Sequence, residues 1–310
     1  MSETLKDNVT RIHPSNKSSS FPSQFTKNSD IENILINNMS LVANHWFRFQ
    51  SEWTYNAYKT LKDLDKYLIL IYLIQKTFKH YSDMFLIISE ETIYNQEKFE
   101  IEKINLIEIS EELNIAKETV RRKINELNNS GIIERSGKKI IIHTEAFKKQ
   151  RPLKTVTLLA NFLSIISRIL SEENRNIINS PVESKELEHF IRSNFTLIWK
   201  FYFRTQIPNL VDWRNFYGDL ETWAVAGTVL INQMHKIRDK YKGKGVIFDS
   251  DKLSNDEKFK KVYETAFSKG HEITGINASS ISEISGIPRA TVIRKLKQGM
   301  KMGVLEKDKN

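Results

Sequence analysis

The chain contains no cysteine, which excludes disulfide bridges and cysteine-based zinc fingers and suits a reducing cytosol. Its seven histidines lie far apart, at positions 13, 45, 80, 143, 189, 235 and 271, with no HExxH or comparable pairing, so no metal site is expected. Catalytic signatures are missing as well. There is no GxxxxGK(S/T) loop, no GxSxG elbow and no dinucleotide fingerprint, and the run Lys242 to Gly245 lacks the flanking strand and hydroxyl of a phosphate-binding loop. Neither catalysis nor a cofactor is expected. The N-terminus lacks a basic-then-apolar secretory pattern. The longest strongly apolar run, Tyr67 to Ile74, falls far short of the ~20 residues that span a bilayer. Thr155 to Leu170 is longer but is broken by Asn161, Ser164, Ser167 and Arg168. Both stretches read as buried or interface helices, and no membrane association is expected.

What is present is enough apolar material for a core, with 310 residues, 40% of them hydrophobic, and 17 Phe, 10 Tyr and 5 Trp. That length corresponds to about two domains. Residues 1–30 are the exception, a polar tail that cannot bury enough apolar area to order itself. A net charge of +9 favours a polyanionic partner.

The chain also repeats itself. Ile104 to Glu134 recurs without a gap at Ile276 to Glu306, 172 positions on, sharing Ile104, Asn105, Ile109, Ser110, Glu111, Ile115, Thr119, Val120, Arg122, Lys123, Gly131 and Glu134. Both copies spell helix, tight turn, basic helix, glycine and strand, the winged helix-turn-helix pattern of DNA readers. Asn105 and Asn277 are placed to cap the first helix, and Glu108 completes a capping box in the first copy. Asn114 and Gly286 tolerate the left-handed backbone that a sharp reversal needs. In the second helix Val120, Ile124 and Leu127, like Val292 and Leu296, recur at helical spacing and face inward. Lys117, Glu118, Arg121, Arg122 and Asn125 remain for the outer face. Gly131 and Gly303 end these helices, and Ile132 to Glu134 and Val304 to Glu306 read as first wing strands. In the first copy Ser136-Gly137 turns into a return strand, Lys139 to His143; the second copy has no room for one before Asn310.

Glu111 to His143 resembles the winged helix of Crp/Fnr-type bacterial regulators. Their recognition helix commonly runs Ser-Arg-Glu-Thr-Val-x-Arg, and the counterpart here is Ala116-Lys117-Glu118-Thr119-Val120-Arg121-Arg122. Their wing closes with a Gly-Lys-x-hydrophobic run, here Gly137 to Ile142. The resemblance implies that Lys117, Glu118 and Arg122 face base edges and that Thr119 and the wing lysines Lys138 and Lys139 face phosphate; Arg121, Asn125 and Arg135 are further candidate DNA contacts. Arg suits guanine O6 and N7, and a carboxylate accepts from cytosine N4. The resemblance does not extend to a cyclic-nucleotide β-roll, because residues 31–100 read helical. In the second copy Arg289, Thr291, Arg294, Lys295 and Lys297 form a concentrated phosphate-facing surface, with Ala290 and Ile293 replacing Glu118 and Arg121.

A weaker repeat at a shift of 156 aligns Asn38, Leu41, Phe47, Arg48 and Gln50 with Asn194, Leu197, Phe203, Arg204 and Gln206, and Asp63 to Tyr67 with Asp219 to Trp223. The change of shift implies a 16-residue insertion between Met234 and Ile276. The aromatic clusters around Trp53 and Trp199 read as core packing more readily than as an effector pocket. Arg48 and Arg204 read as buried structural partners of carboxylates.

The expected fold is mainly α, with tandem duplicated winged helix-turn-helix domains, each preceded by an aromatic-rich helix and carrying short β-wings. A disordered tail occupies residues 1–30, a first unit 31–148, a helical connector 149–186 and a second unit 187–310. The expected function is sequence-specific binding of double-stranded DNA in the cytoplasm, associated with the nucleoid, by a transcription regulator that can form a homodimer. A plasmid-type replication initiator and a winged-helix protein-interaction module in a chromosome or polymerase assembly are the alternatives. The sequence leaves open whether a small effector binds.

Overall fold

The structure, a computed structural model, describes residues 10–11, 28–101, 105–136, 139–144, 153–241 and 275–307. Two helices lead: α1 (Asn28–Asn37) and α2 (Met39–Leu61), joined at Asn38, whose side-chain amide donates to the Ile34 carbonyl at 2.9 Å. Lys62 ends α2 in the left-handed region, and α3 (Leu64–Asp83) then starts on the carboxylate of Asp63, which accepts the Lys66 N–H at 2.8 Å. The apolar run predicted to be buried lies on α3, where Leu68, Ile69 and Leu73 are fully enclosed.

After α3 come β2 (Leu86–Ile87), α4 (Glu90–Asn95) and β3 (Lys98–Ile101), then the helix-turn-helix pair α5 (Leu106–Glu112) and α6 (Lys117–Asn129), then β4 (Ile133–Ser136) and β5 (Lys139–His143). The strands order β3-β5-β4 in one antiparallel sheet, with Ile142 of β5 opposite Phe99 on one side and Ile133 on the other. The wing therefore has three strands. Residues 31–100 are not helical throughout, because β5 offers a free edge that Lys98–Ile101 fills.

The rest is helical among the described residues: α7 (Leu153–Glu173), α8 (Ser184–Ser193), α9 (Phe195–Tyr217), α10 (Leu220–Tyr241), α11 (Ala278–Ser285) and α12 (Arg289–Lys301). The element bounds echo the sequence repeats. Helices α8 and α9 begin and end 156 positions after α1 and α2, and α12 lies 172 positions after α6. Helix α7 covers the connector and is long and apolar enough, by length and composition alone, to cross a membrane. Its Val156, Leu159, Ala160, Ile169 and Leu170 are buried in the protein, as the sequence suggested.

The core lies where α2, α3, α7 and α9 meet. Trp53, Trp199, Tyr202 and Phe203 stack and tilt against one another, with ring centroids 4.9 Å apart for Trp53 and Trp199. Helices α2 and α9 cross at Gln50 and Gln206, which exchange two amide hydrogen bonds of 2.8 Å each inside this core.

Several expectations need correction. Thr10–Arg11 form a short strand, β1, paired with Leu86–Ile87, so the polar tail carries structure at that point; the rest of residues 1–27 lies outside the described residues. Val304 to Glu306 form no strand. Among the described residues no partner strand lies alongside, and the peptide N–H groups of Val304 and Leu305 turn back to the Gly299 carbonyl. Glu108 closes no capping box, because Lys76 and Tyr72 of α3 bind its carboxylate at 2.6 and 3.1 Å. Arg48 and Arg204 are exposed rather than buried. The proposed insertion falls largely on residues 242–274, outside the described residues.

Candidate nucleic-acid interface

Helix α5 is capped by Asn105, whose side chain accepts the Ile107 N–H at 3.0 Å. It reverses at Asn114, held at φ 48°. The Ser110 hydroxyl donates across the turn to the Ile115 carbonyl at 2.6 Å, which locks the angle between the two helices. In α6 the predicted inward residues Val120, Ile124 and Leu127 are wholly buried. The resulting amphipathicity fixes the rotation of the helix about its axis, so Lys117, Glu118, Arg121, Arg122 and Asn125 face outward and are exposed, with Thr119 half-buried beside them. Ala116 supplies no side-chain cap, so the first N–H groups of α6 find no side-chain acceptor there.

The exposed face is pre-paired. Arg121 bonds Glu118 at 2.8 Å one turn away, and Arg122 reaches Glu126 at 3.8 Å. These exposed pairs are weak and exchange readily for a phosphate or base edge. Arg135 is exposed on β4, and its N–H donates to the Asn128 side chain at 2.8 Å, tying the wing to the end of α6. Lys139 opens β5 opposite Ser136; Lys138 lies outside the described residues.

A second helical head, α11 with α12, repeats the local architecture of the first, α5 with α6. Asn277 caps α11 by accepting the Ser280 N–H at 2.9 Å, Gly286 turns the chain at φ 75°, and the Ser282 hydroxyl donates to the Ile287 carbonyl at 2.7 Å. On α12, Val292 is fully buried and Leu296 packs on the core, while Arg289, Arg294 and Lys297 are exposed and Thr291 is half-buried. Arg289 also donates to Ser279 at 3.1 Å.

Lys295 departs from the sequence-based assignment to the DNA face. It is only 6% exposed, and its ammonium bonds Asp219 at 2.5 Å. The same arrangement holds in the first head, where Lys123 bonds Asp63 at 2.5 Å. Each aspartate does two jobs. One oxygen caps the helix that opens its head, accepting the Lys66 N–H in one case and the Thr222 N–H (2.7 Å) in the other, and the second oxygen holds the lysine. Burial pushes the Asp219 carboxyl up, but the Lys295 ammonium and the Thr222 donors outweigh it and hold the group below the usual aspartate range. For Lys123, burial favours the neutral amine, and Asp63 more than offsets it. Asp63 and Asp219 were visible in the shift-156 repeat, and Lys123 and Lys295 in the shift-172 repeat. The missed signal was that both members of one pair recur.

Comparison with known families returns one match: residues 100–137 fit the DeoR-like helix-turn-helix domain. The chain carries a DNA-binding helix-turn-helix. The DeoR-like segment runs from the end of β3 through α5 and α6 to the start of the wing turn, so it contains all of α6 and β4 but ends before Lys139 and the return strand β5. It is a domain of transcription regulators, and the model that fits is DeoR-like rather than Crp-type. No curated protein and no solved structure matches the chain.

Proposed function

We propose that this chain is a sequence-specific reader of double-stranded DNA that presents two recognition helices, α6 and α12, from a tandem duplication, and acts as a transcription regulator in the cytoplasm. The observation that carries this reading is the division of α6 into a sealed face of Val120, Ile124 and Leu127 and an open face of Lys117, Glu118, Arg121, Arg122 and Asn125, next to a three-stranded wing. Support for the duplication comes from the matched element bounds, the two Asp–Lys pairs, the two Ser-to-carbonyl turn bonds and the reciprocal Gln50–Gln206 contact between residues 156 apart. The units 31–148 and 187–310 then correspond to the two copies.

Following the Crp-type pattern, Lys117, Glu118 and Arg122 read base edges, while Thr119, Arg121, Asn125, Arg135, Lys138 and Lys139 hold the backbone. On the second head Arg289, Thr291, Arg294 and Lys297 take the phosphate-facing role, without Lys295. Because Ala290 and Ile293 replace Glu118 and Arg121, the two half-sites differ, and a pseudo-twofold relation places them about one helical turn apart. Selection of bound duplexes from a random pool, using the full chain, should return an asymmetric two-part site. A pool that stays random, or binding whose affinity does not fall with salt, would point instead to a protein-interaction role.

A further inference from the structure

A cavity of about 510 Å³ lies between α2, α3, α4, β5, α7 and α9, walled by Trp53, Phe78, Phe195, Trp199 and Phe203. Packed interiors leave few voids larger than a water molecule, whereas small-molecule sites are apolar cavities of roughly 300–1,000 Å³ with a few polar groups. This one has the second character. Its only charged lining residues are Lys59, which is exposed, and Lys154, which is paired with Glu52 at 2.9 Å.

Two lining residues hold polar atoms with no partner. Trp199 and Thr144 are 1% and 2% exposed, and among the described residues neither the indole Nε1 nor the hydroxyl Oγ1 has a hydrogen-bond partner; both atoms lie just behind the cavity surface rather than on it. Buried polar groups are normally satisfied, and an unmade bond costs free energy. The neighbouring indole differs: Trp53 Nε1 donates to the Tyr67 hydroxyl. An indole N–H can only donate, so it calls for an acceptor; a threonine hydroxyl meets either kind of partner by a rotamer change.

We propose that this cavity binds a small, uncharged, largely aromatic molecule carrying one hydrogen-bond acceptor such as a carbonyl, which meets the Trp199 N–H after a small side-chain adjustment. A cation buried here meets only lysines, and an anion gives up its hydration for Lys154, already paired with Glu52, and for Lys59, which is exposed to solvent. The occupant also touches the wing, because Ile142 lines the cavity from the central strand β5 and Thr144 follows directly, its own N–H donating to the Glu97 carbonyl at 3.0 Å. The site stands apart from the DNA-binding reading and is testable without DNA.

The test is calorimetric titration of the full chain with 2-acetylnaphthalene, naphthalene and 2-naphthoate. The ketone should bind about 3- to 10-fold more tightly than naphthalene, the gain from one satisfied donor, and 2-naphthoate should bind more weakly than the ketone. Trp199→Phe should close the gap between ketone and naphthalene, and Ala57→Phe, which fills the cavity, should weaken both. If Trp199→Phe fails to fold, the indole N–H proton resonance of Trp199 in the full chain serves instead: it should move downfield with the ketone and stay in place with naphthalene. Hydrogen exchange at Ile142 and Thr144 should slow with the ketone bound. Equal affinity for ketone and naphthalene, a gap that survives Trp199→Phe, or unchanged exchange on β5 would each overturn the proposal.

Discussion

Replacing Lys295 by methionine separates a structural lysine from a DNA-facing one. Methionine keeps most of the aliphatic stem and its packing, so the change reports the ammonium alone. Its loss leaves Asp219 beside the core with a charge, the Thr222 N–H and hydroxyl, at 2.7 and 2.9 Å, as close donors, and the Gln298 amide at 3.4 Å as a distant one. Removing one member of a fully buried ion pair costs about 3–5 kcal/mol. The Asp219 side chain is 24% exposed and keeps those two donors, which reduces the expected loss to about 2–3 kcal/mol. Urea denaturation followed by far-ultraviolet circular dichroism measures it. Adding Asp219→Asn should recover part of the loss, because no unpaired charge then remains, and the coupling read from the cycle should be at least about 1 kcal/mol. The companion measurement is the slope of log affinity for DNA against log salt. Lys295→Met should leave it unchanged, whereas Lys297→Ala, which removes an exposed cation from the same helix, should reduce it by about 0.9 while leaving stability within about 0.5 kcal/mol of the parent. A Lys295→Met protein as stable as the parent, with a smaller salt slope, would refute the internal role and return this residue to the DNA face.

Arg122→Ala should relax base preference at one position of the selected site at a cost of about 1–3 kcal/mol, while Lys139→Ala should weaken all duplexes alike, as competition binding on single-base variants will show. Gln50→Leu alone should destabilise the chain by about 1–3 kcal/mol, because the buried Gln206 amide loses both of its hydrogen bonds to Gln50, and Gln50→Leu with Gln206→Leu should be closer to the parent than either single change in urea titrations. Asp219 sits below its ordinary value in the folded chain, so its contribution is present above the unfolded pKa of about 3.9 and is lost as pH falls through the lower folded value. Glu221 carries the opposite sign. Burial, with help from Asp63 and Asp219, raises it, so the folded state favours its neutral form, and Glu221→Gln should raise the melting temperature at pH 7 but not below pH 4.

The spacing of Val120, Ile124 and Leu127 was sufficient to orient α6, because helix rotation follows from local periodicity alone. Asn105, Asn114, Asn277 and Gly286 were legible for a similar reason: caps and left-handed turns are set by one residue and its immediate neighbours. What the sequence hid depends on distant partners. Glu108 has the right position for a capping box, yet Lys76, 32 residues earlier, holds it instead. Lys98 to Ile101 becomes a strand only because β5 passes alongside. Val304 to Glu306 has apolar strand-like letters, but among the described residues no strand pairs with it, and its N–H groups return to Gly299. Lys295 looks like its exposed neighbours on a basic helix, and only the position of Asp219, 76 residues away, turns it inward.

The ends of the two crossing helices reach past their own halves. Arg214 of α9 bonds Asp65 at 2.9 Å and the Asn114 carbonyl at 3.1 Å, and Asn215 accepts from the Asn114 side chain at 2.8 Å, so the turn of the first head is held by a helix of the second half. Lys59 of α2 lies against Gly286 in return, where an added Cβ would come within 2.9 Å of it. Neither half is then self-sufficient. Severed after the first wing, the chain would yield two fragments that complete each other only on meeting. Left intact, it carries its partner with it: the two helix pairs stay braced together at any dilution, and on the two-headed reading proposed above, occupancy of a two-part site would rise with the first power of protein concentration rather than the second.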